Sequence, residues 1–378
     1  MRLLQVTTIP ETIEAFLLPF ATHFRSLGWV VDGAARGASS NVACTRSFDA
    51  VHNVGWSRNP LHLANIAAGS EMRALLTRER YDLVHVHTPV ASFVTRLAAS
   101  RTRPRPAVVY TAHGFHFHGG GNPVLNLAYS TLERIAGPWT DELVVINSDD
   151  HAAALERHLV PPDHLSLVPG IGIDLGEFVA AAAAAPPAEE VLRAIGVPGG
   201  TKVVLMVAEF TPNKRQSDAL EALSRLDDTS AHLVLVGIGP TMQTIKARAS
   251  ALGLANRVHF LGYRRDVPQL MTVADALILL SEREGLPRSV MEAMAVGVPV
   301  IGTDIRGVRD LLGAAAGVLV PVADVRAMAL ALNETLRAGP EVAQRVATAK
   351  GRLDAYSLGN VLAGYEAIYA RALGSKRA

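Results

Sequence analysis

Ser281-Glu-Arg-Glu-Gly-Leu-Pro-Arg-Ser-Val-Met-Glu-Ala-Met-Ala-Val-Gly-Val-Pro-Val300 decides how this chain folds. The apolar run before it ends at Leu280 and reads as a buried strand, and the polar residues that follow read as a loop. Pro287 is expected at the first helical position, where its missing N–H has no intrahelical partner to lose. Apolar residues then recur at helical spacing to Val296, and Gly297 precedes a second apolar run, Val298–Ile301. Strand, loop, helix and strand in that order make one unit of a parallel sheet. The unpaired amides and positive dipole end at the helix start suit a diphosphate. Glu284 stays on the loop and Glu292 falls more than a turn into the helix, so their carboxylates can reach two hydroxyl-bearing parts of one ligand. Surface carboxylates at this spacing are common, and spacing alone leaves a purely structural role open.

The same alternation extends in both directions. Upstream, Leu3–Thr7, Leu83–Val86, Ala107–Thr111 and Leu143–Ile146 read as strands, each followed by a helix-like stretch. Between about Gly170 and Gly200 the chain is rich in Gly, Ala and Pro, with an alanine run at 180–185, and reads as a linker. Strands are then expected at Val203–Val207, Leu233–Val236, Val258–Leu261, Ala276–Leu279, Val298–Ile301 and Gly317–Val320. Helices are expected near Arg215–Leu226, Met242–Leu252, Arg288–Val296 and Asp324–Leu336. The fold class is therefore α/β: two doubly wound Rossmann-like domains, with ligands expected at the carboxyl ends of the strands. The boundaries are residues 1–172, a linker over 173–199, and 200–355. Residues 356–378 carry apolar positions at helical spacing (Leu358, Val361, Leu362, Tyr365, Ile368, Tyr369) and are expected to return to the first domain.

Composition removes other classes. A formal net charge of +1 over 378 residues lacks the basic footprint of a nucleic-acid binder. The single cysteine, Cys44, cannot form an intramolecular disulfide and fits a reducing compartment. No signal peptide is visible, and no apolar run approaches the roughly 20 residues that span a bilayer. The expected location is the cytoplasm, with contact at the inner face of the cell membrane left open.

The glutamate segment resembles the retaining glycosyltransferases of family four, whose signature is two glutamates separated by seven residues ahead of an apolar helix and Gly-x-Pro-Val. Glu284, Glu292, Gly297, Pro299 and Val300 match it. The resemblance also covers Tyr81–Thr88, Tyr110–Phe117, Val168–Asp174 and Phe260–Pro268, and is strongest to bacterial enzymes of capsule, exopolysaccharide and glycan assembly. It implies the GT-B fold, with the last helix crossing back to the first domain. It implies that Glu292 holds the ribose of a nucleotide and Glu284 lies beside the donor sugar. Gly285, Leu286, Pro287, Arg288 and Ser289 would cover the sugar and phosphate, with Tyr263 and Arg264 on the nucleotide side. It places His113 near the reacting sugar, and it implies no metal and no cofactor beyond the nucleotide sugar.

One position departs from the family. An arginine is usual where this chain has Glu209, five residues before the matching Lys214. A carboxylate there repels a diphosphate unless another cation intervenes. Arg288 is the expected replacement and Arg215 the other candidate. His113, His116 and His118 cluster after a strand, but no acid or cysteine accompanies them closely, so zinc is not expected. The loop Thr7–Glu14 lacks the glycines common in relatives, and Glu11 and Thr12 become candidates for the acceptor side. Arg96, Arg101, Arg103 and Arg105 fall within ten residues with no acid among them, and read as a solvated basic loop.

The resulting expectation is an enzyme, a retaining glycosyltransferase. It would move a hexose or N-acetylhexosamine from a UDP-sugar to a lipid-diphosphate-linked or oligosaccharide acceptor, with Lys214, Arg288, Glu284 and His113 as catalytic residues. A nucleotide-sugar epimerase of the same fold, a GDP-sugar-dependent transferase and a non-catalytic scaffold remain alternatives.

Overall fold

A computed structural model describes residues 1–117 and 122–374 and divides them into two units, Met1–Gly172 with Gly359 onward, and Ile173–Leu358. The first holds a seven-stranded parallel sheet: β1 (Arg2–Val6), β2 (Val30–Ala35), β3 (Ala50–Asn53), β4 (Leu83–Val86), β5 (Ala107–Ala112), β6 (Glu142–Val145) and β7 (Leu165–Leu167). Their spatial order is β3-β2-β1-β4-β5-β6-β7, with Val6 beside Val86 and Val86 beside Tyr110. The second holds six parallel strands: β8 (Val203–Val207), β9 (His232–Val236), β10 (Val258–Gly262), β11 (Ala276–Leu279), β12 (Val300–Thr303) and β13 (Val318–Val320), ordered β10-β9-β8-β11-β12-β13. Both sheets therefore reverse direction beside their first strand, between β1 and β4 and between β8 and β11. Crevices at such switch points are where ligands bind in open α/β sheets.

The Val-, Leu- and Ile-rich strands are buried on both faces, which is why they read as continuous apolar runs rather than alternating ones. β2, β3 and β7 escaped the sequence reading. Val30-Val-Asp-Gly-Ala-Ala35 is interrupted by Asp32, whose buried Oδ2 accepts hydrogen bonds from Tyr81 Oη (2.6 Å) and Arg2 (3.1 Å). A partnered carboxylate can sit in a sheet core where an unpaired one could not. β12 begins at Val300, two residues later than expected.

The stretch expected to be a linker is corrected. Leu175–Ala183 and Ala188–Ala194 are helices, and Phe178, Val191, Leu192, Ile195 and Val197 belong to the core of the second unit. Alanine is the strongest helix former, so the alanine run favours helix over open chain. The first of these helices is capped by Asp174, whose side chain accepts from the amide of Glu177.

The helix Leu358–Gly374 belongs to the first unit, where Val361, Leu362, Tyr365, Ile368, Tyr369 and Ala372 form a buried stripe. Tyr365 meets Phe20 edge-on at 5.1 Å, and Tyr369 lies 4.8 Å from Phe24 and 6.0 Å from Trp29. Buried aromatics of this size each remove about 150–250 Å² from water, so this stripe holds the helix in place. The segment 375–378 lies outside the described residues.

The basic stretch is corrected at two of its four arginines, while Arg101 and Arg103 are exposed. Arg96 is buried, donates to Glu133 at 2.7 Å and lies over the ring of Tyr110. Arg105 pairs with Asp141 at 2.9 Å. Their acids come from more than thirty residues away, out of reach of a reading that looked only at sequence neighbours.

Candidate functional site

In the second unit, the loop after β8 and the loop after β11 meet at the switch point. The amide of Glu282 donates to the carbonyl of Asn213 (2.9 Å), and Asn213 Nδ2 donates to the carbonyl of Arg283 (3.1 Å). Thr303, ending β12, donates its hydroxyl to the carbonyl of Ser281 at 2.6 Å. These bonds place Lys214 Nζ 2.5 Å from Glu284 Oε1, which also accepts from Ser281 Oγ at 2.5 Å. Two of the residues singled out by sequence are thus joined across seventy positions.

The helix Arg288–Val296 follows, with Pro287 in extended conformation (φ −74°, ψ 117°) as its N-cap. That corrects the expected placement of Pro287 by one position; the first helical residue is Arg288. The leading amides of Arg288 and Ser289 have no intrahelical acceptor, and those of Gly285 and Leu286 donate to no carbonyl among the described residues. Glu292 is buried on this helix, and its Oε1 accepts from Arg288 Nε at 2.8 Å. Burial raises the Glu292 carboxyl above its ordinary value, with Arg288 opposing the rise. The Arg288 side chain is 60% exposed, and Glu292 is its ion-pair partner.

The other candidates lie apart from these pairs. Glu209 is exposed, and only its backbone carbonyl is engaged, by Gln216 Nε2 and the amide of Thr211. Arg215 is held by Asp218 (2.7 Å) and Glu282 (2.6 Å). Arg264 makes two bonds to Asp266, at 2.7 and 2.5 Å, while Tyr263 stands 69% exposed. Neither Tyr263 nor Arg264 is hydrogen-bonded to the glutamate segment.

Three glycines of this site went unremarked in the sequence. A Cβ on Gly307 (φ +76°) would lie 1.7 Å from the carbonyl oxygen of Gly285. A Cβ on Gly237 (φ +141°) would meet Ala208 O at 2.0 Å, and one on Gly239 (φ +158°) would meet Phe210 O at 2.4 Å. Only glycine allows these backbones to touch. The signal was available in Val236-Gly-Ile-Gly-Pro240, directly after a strand, where closely spaced glycines mark close backbone approach.

In the first unit the switch point is filled by neutral groups. His87 Nδ1 lies 3.1 Å from His113 Nε2, and His87 Nε2 lies 2.8 Å from Gln5 Oε1. Gln5 Nε2 donates to Tyr369 Oη at 3.2 Å. Tyr369 Oη is 2.6 Å from His85 Nδ1, His85 Nε2 is 2.7 Å from Thr111 Oγ1, and Thr111 Oγ1 is 2.9 Å from Tyr365 Oη. Phe16 stacks on His113. Burial lowers His85 and His87 well below the ordinary histidine value, with neighbouring imidazoles adding to it, and brings His113 to about 4. The sequence reading named His113 and left His85 and His87 between core and site; it missed Gln5, Tyr365 and Tyr369. Glu11 and Thr12 lie on the short helix Pro10–Phe16. His116 lies beside Tyr129, and His118 lies outside the described residues. Among the described residues no three His, Cys, Asp or Glu side chains are grouped to hold a metal.

Residues 13–176 match the family described as Glycosyltransferase Family 4, and residues 188–352 match Glycosyl transferases group 1. EpsD of Bacillus subtilis, a protein named as a glycosyltransferase, is 32% identical over 353 residues, 91% of this chain and 90% of its own. The UDP-Gal:α-D-GlcNAc-diphosphoundecaprenol α-1,3-galactosyltransferase of Escherichia coli is 29% identical over 259 residues, 66% of each chain. Among solved structures, Anabaena HepE in complex with UDP superposes with a TM-score of 0.81 at 19% identity, over 98% of this chain and 100% of its own. The sucrose-phosphate synthase of Thermosynechococcus elongatus gives 0.82 at 18% identity, over 99% and 100%. With two such sheets and a relative aligned almost end to end, this chain belongs to the family 4 glycosyltransferases, enzymes of GT-B fold.

Proposed function

We propose that the enzyme transfers a hexose or N-acetylhexosamine from a UDP-sugar, with retention, to a hydroxyl of a lipid-diphosphate-linked glycan in bacterial polysaccharide or glycan assembly. The observation that carries this reading is the meeting of Lys214, Glu284 and an amide-bearing helix start at the β8/β11 switch point. The ammonium and the open amides suit a diphosphate, and the carboxylates suit sugar hydroxyls. Glu292 takes the ribose and Glu284 the donor sugar. The residues Gly285 to Ser289 line the phosphates, and Tyr263 and Arg264 serve the nucleotide. As the glycosidic bond breaks, negative charge grows on the departing phosphate. Lys214, Arg288 and the helix amides stabilise it without a metal or further cofactor. The acceptor hydroxyl attacks from the face the phosphate leaves, and its proton passes to the departing phosphate oxygen. His113 is assigned to the donor sugar on the family resemblance.

The acceptor class is suggested by the Escherichia coli relative, whose name specifies a diphosphoundecaprenol acceptor. No described helix is long and apolar enough to cross a membrane. The surface around Leu61, Leu63 and Ile66 (90, 78 and 72% exposed) lies beside Arg58, Arg73 and Arg101, which have no ion pair among the described residues, and suits contact with an anionic lipid face. The cytoplasmic side of the membrane is the corresponding location.

Calorimetry against UDP- and GDP-sugars, followed by turnover with a lipid-diphosphate sugar, tests the proposal. UDP-sugar binding with acceptor-dependent product of retained configuration is expected. Consumption of donor without acceptor would indicate an epimerase, and preference for GDP-sugars would overturn the donor assignment.

A further inference from the structure

We propose that Ser281 is a positioning residue: it holds Glu284 by one carboxylate oxygen, so that Lys214 can leave that carboxylate for a diphosphate without releasing it. The inference deepens the reading that Glu284 serves the donor sugar and Lys214 the phosphate, and it rests on that reading. Two donors converge on Glu284 Oε1, the Ser281 hydroxyl and the Lys214 ammonium, each at 2.5 Å. A carboxylate only accepts and an ammonium only donates, so the hydrogens of both bonds are assigned by chemistry alone. Two donors use the two lone pairs of Oε1. Glu284 Oε2 has no hydrogen-bond partner among the described residues, and it is the oxygen left to accept from sugar hydroxyls.

The two anchors differ in what can reach them. The Lys214 side chain is 21% exposed, so an arriving phosphate can draw the ammonium from its carboxylate at modest cost. Ser281 is fully buried, so no ligand touches its hydroxyl, and it can act only through Glu284. Its place is built into the sheet. It follows β11, and its carbonyl accepts from Thr303, a buried residue at the end of β12. The hydroxyl therefore stays in place while the ammonium moves. Without it, the passage of Lys214 to the phosphate would leave Glu284 with no donor on either oxygen among the described residues, and the carboxylate would turn away as the sugar reacts. A group that orients a transition-state contact acts on rate, whereas uniform binding acts on affinity alone. Ser281 thus matters for turnover of the UDP-sugar and little for UDP, which carries no sugar.

Ser281→Ala in the full chain should lower kcat, measured with UDP-sugar and a lipid-diphosphate sugar, about tenfold, the size of a lost hydrogen bond to a charged group. The calorimetric Kd for UDP should not change. A merely structural loosening of the loop would weaken UDP as well, because Lys214 and the helix amides share that loop. Ser281→Cys keeps the shape and offers only a weak donor, so it should fall in the same direction and decides if Ser281→Ala does not fold. In a Glu284→Ala background, Ser281→Ala should cost nothing further, because the group through which it acts is gone. If Glu284→Ala leaves too little turnover to read, the split between kcat and UDP affinity decides alone. Full turnover in both Ser281 variants, UDP binding weakened in step with turnover, or losses that multiply in the double variant overturn the proposal and leave Glu284 at the sugar. Normal transfer by Glu284→Ala would instead remove Glu284 from the reaction, and the proposal with it.

Discussion

At the β8/β11 switch point, Lys214 and Arg288 each meet a carboxylate, at 2.5 and 2.8 Å. At the β1/β4 switch point of the other unit, the same position is filled by a neutral chain from His113 to Tyr365. The ion pairs are partly open to water, so each partner can exchange the other for a ligand at modest cost. Apart from the partly exposed His113 the neutral chain is buried, and breaking one link strands its neighbours with little water to replace it. One unit stores adaptable charge, the other a neutral hydrogen-bonded network. The difference separates residues that bind from residues that orient.

The comparison breaks first if the buried chain is not structural. Tyr365→Ala should destabilise the first unit by about 3–5 kcal/mol, the range for deleting a large buried aromatic. All three tryptophans, Trp29, Trp56 and Trp139, lie in that unit, so denaturation followed by tryptophan fluorescence reports it selectively.

Lys214→Ala should leave that melt almost unchanged while lowering turnover about 10²–10³-fold, the usual loss when one group opposing transition-state charge is removed. A stability loss with turnover intact would make the Lys214–Glu284 pair structural and erase the contrast.

Acid should weaken the first unit. His85, His87 and His113 are held below the ordinary value of 6.5 in the fold. Below that pH the unfolded chain takes up protons that the folded chain refuses. Stability is therefore full above about pH 6.5 and falls as pH drops toward 4, by on the order of 2–3 kcal/mol from His113 alone after allowance for its partial exposure. In the second unit the effects oppose one another: Glu292, raised by burial, gains from protonation of its folded form, while His232 and His259, lowered by burial, lose by it. Tryptophan-detected melting between pH 7.5 and 5 should fall; a flat profile would mean that the histidines titrate freely.

Glu292→Ala should weaken UDP binding by about 1–3 kcal/mol, measured by calorimetry. Arg288→Ala should have the smallest effect on binding, within about 1 kcal/mol, and a larger one on turnover, because charge on the leaving phosphate grows along the reaction. Equal losses in both would place Arg288 in ground-state binding.

The second unit was the more legible in sequence, and the physical reason is locality. Strand, loop, cap and both glutamates lie within twenty consecutive residues, and the helix Arg288–Val296 has the bounds its periodicity indicates. Lys214 is named by the family resemblance, on a loop that follows a strong apolar strand. The first unit resists such reading. Gln5 and Tyr369 each look ordinary in their own neighbourhood, one a polar residue in a strand and the other an apolar-face aromatic. Only the fold, by laying a helix from one end of the chain against a strand from the other, gives them a joint role. Gly307 falls between the cases: its glycine is visible, but its contact with Gly285 is set by two strand ends.

The return of the helix Leu358–Gly374 to the first unit has a consequence for how the protein is made. When the ribosome has finished Gly172, the sheet of that unit is present, but the surface covering Phe20, Phe24 and His85 is not. The second unit must be synthesised in between, which at typical elongation rates takes on the order of tens of seconds. Throughout that interval the nascent first unit exposes an aromatic groove and unsatisfied polar groups, while the second unit can close as soon as it emerges. The part of the chain made first is thus the last to be completed, and its completion is the event most exposed to chaperone capture or mispairing.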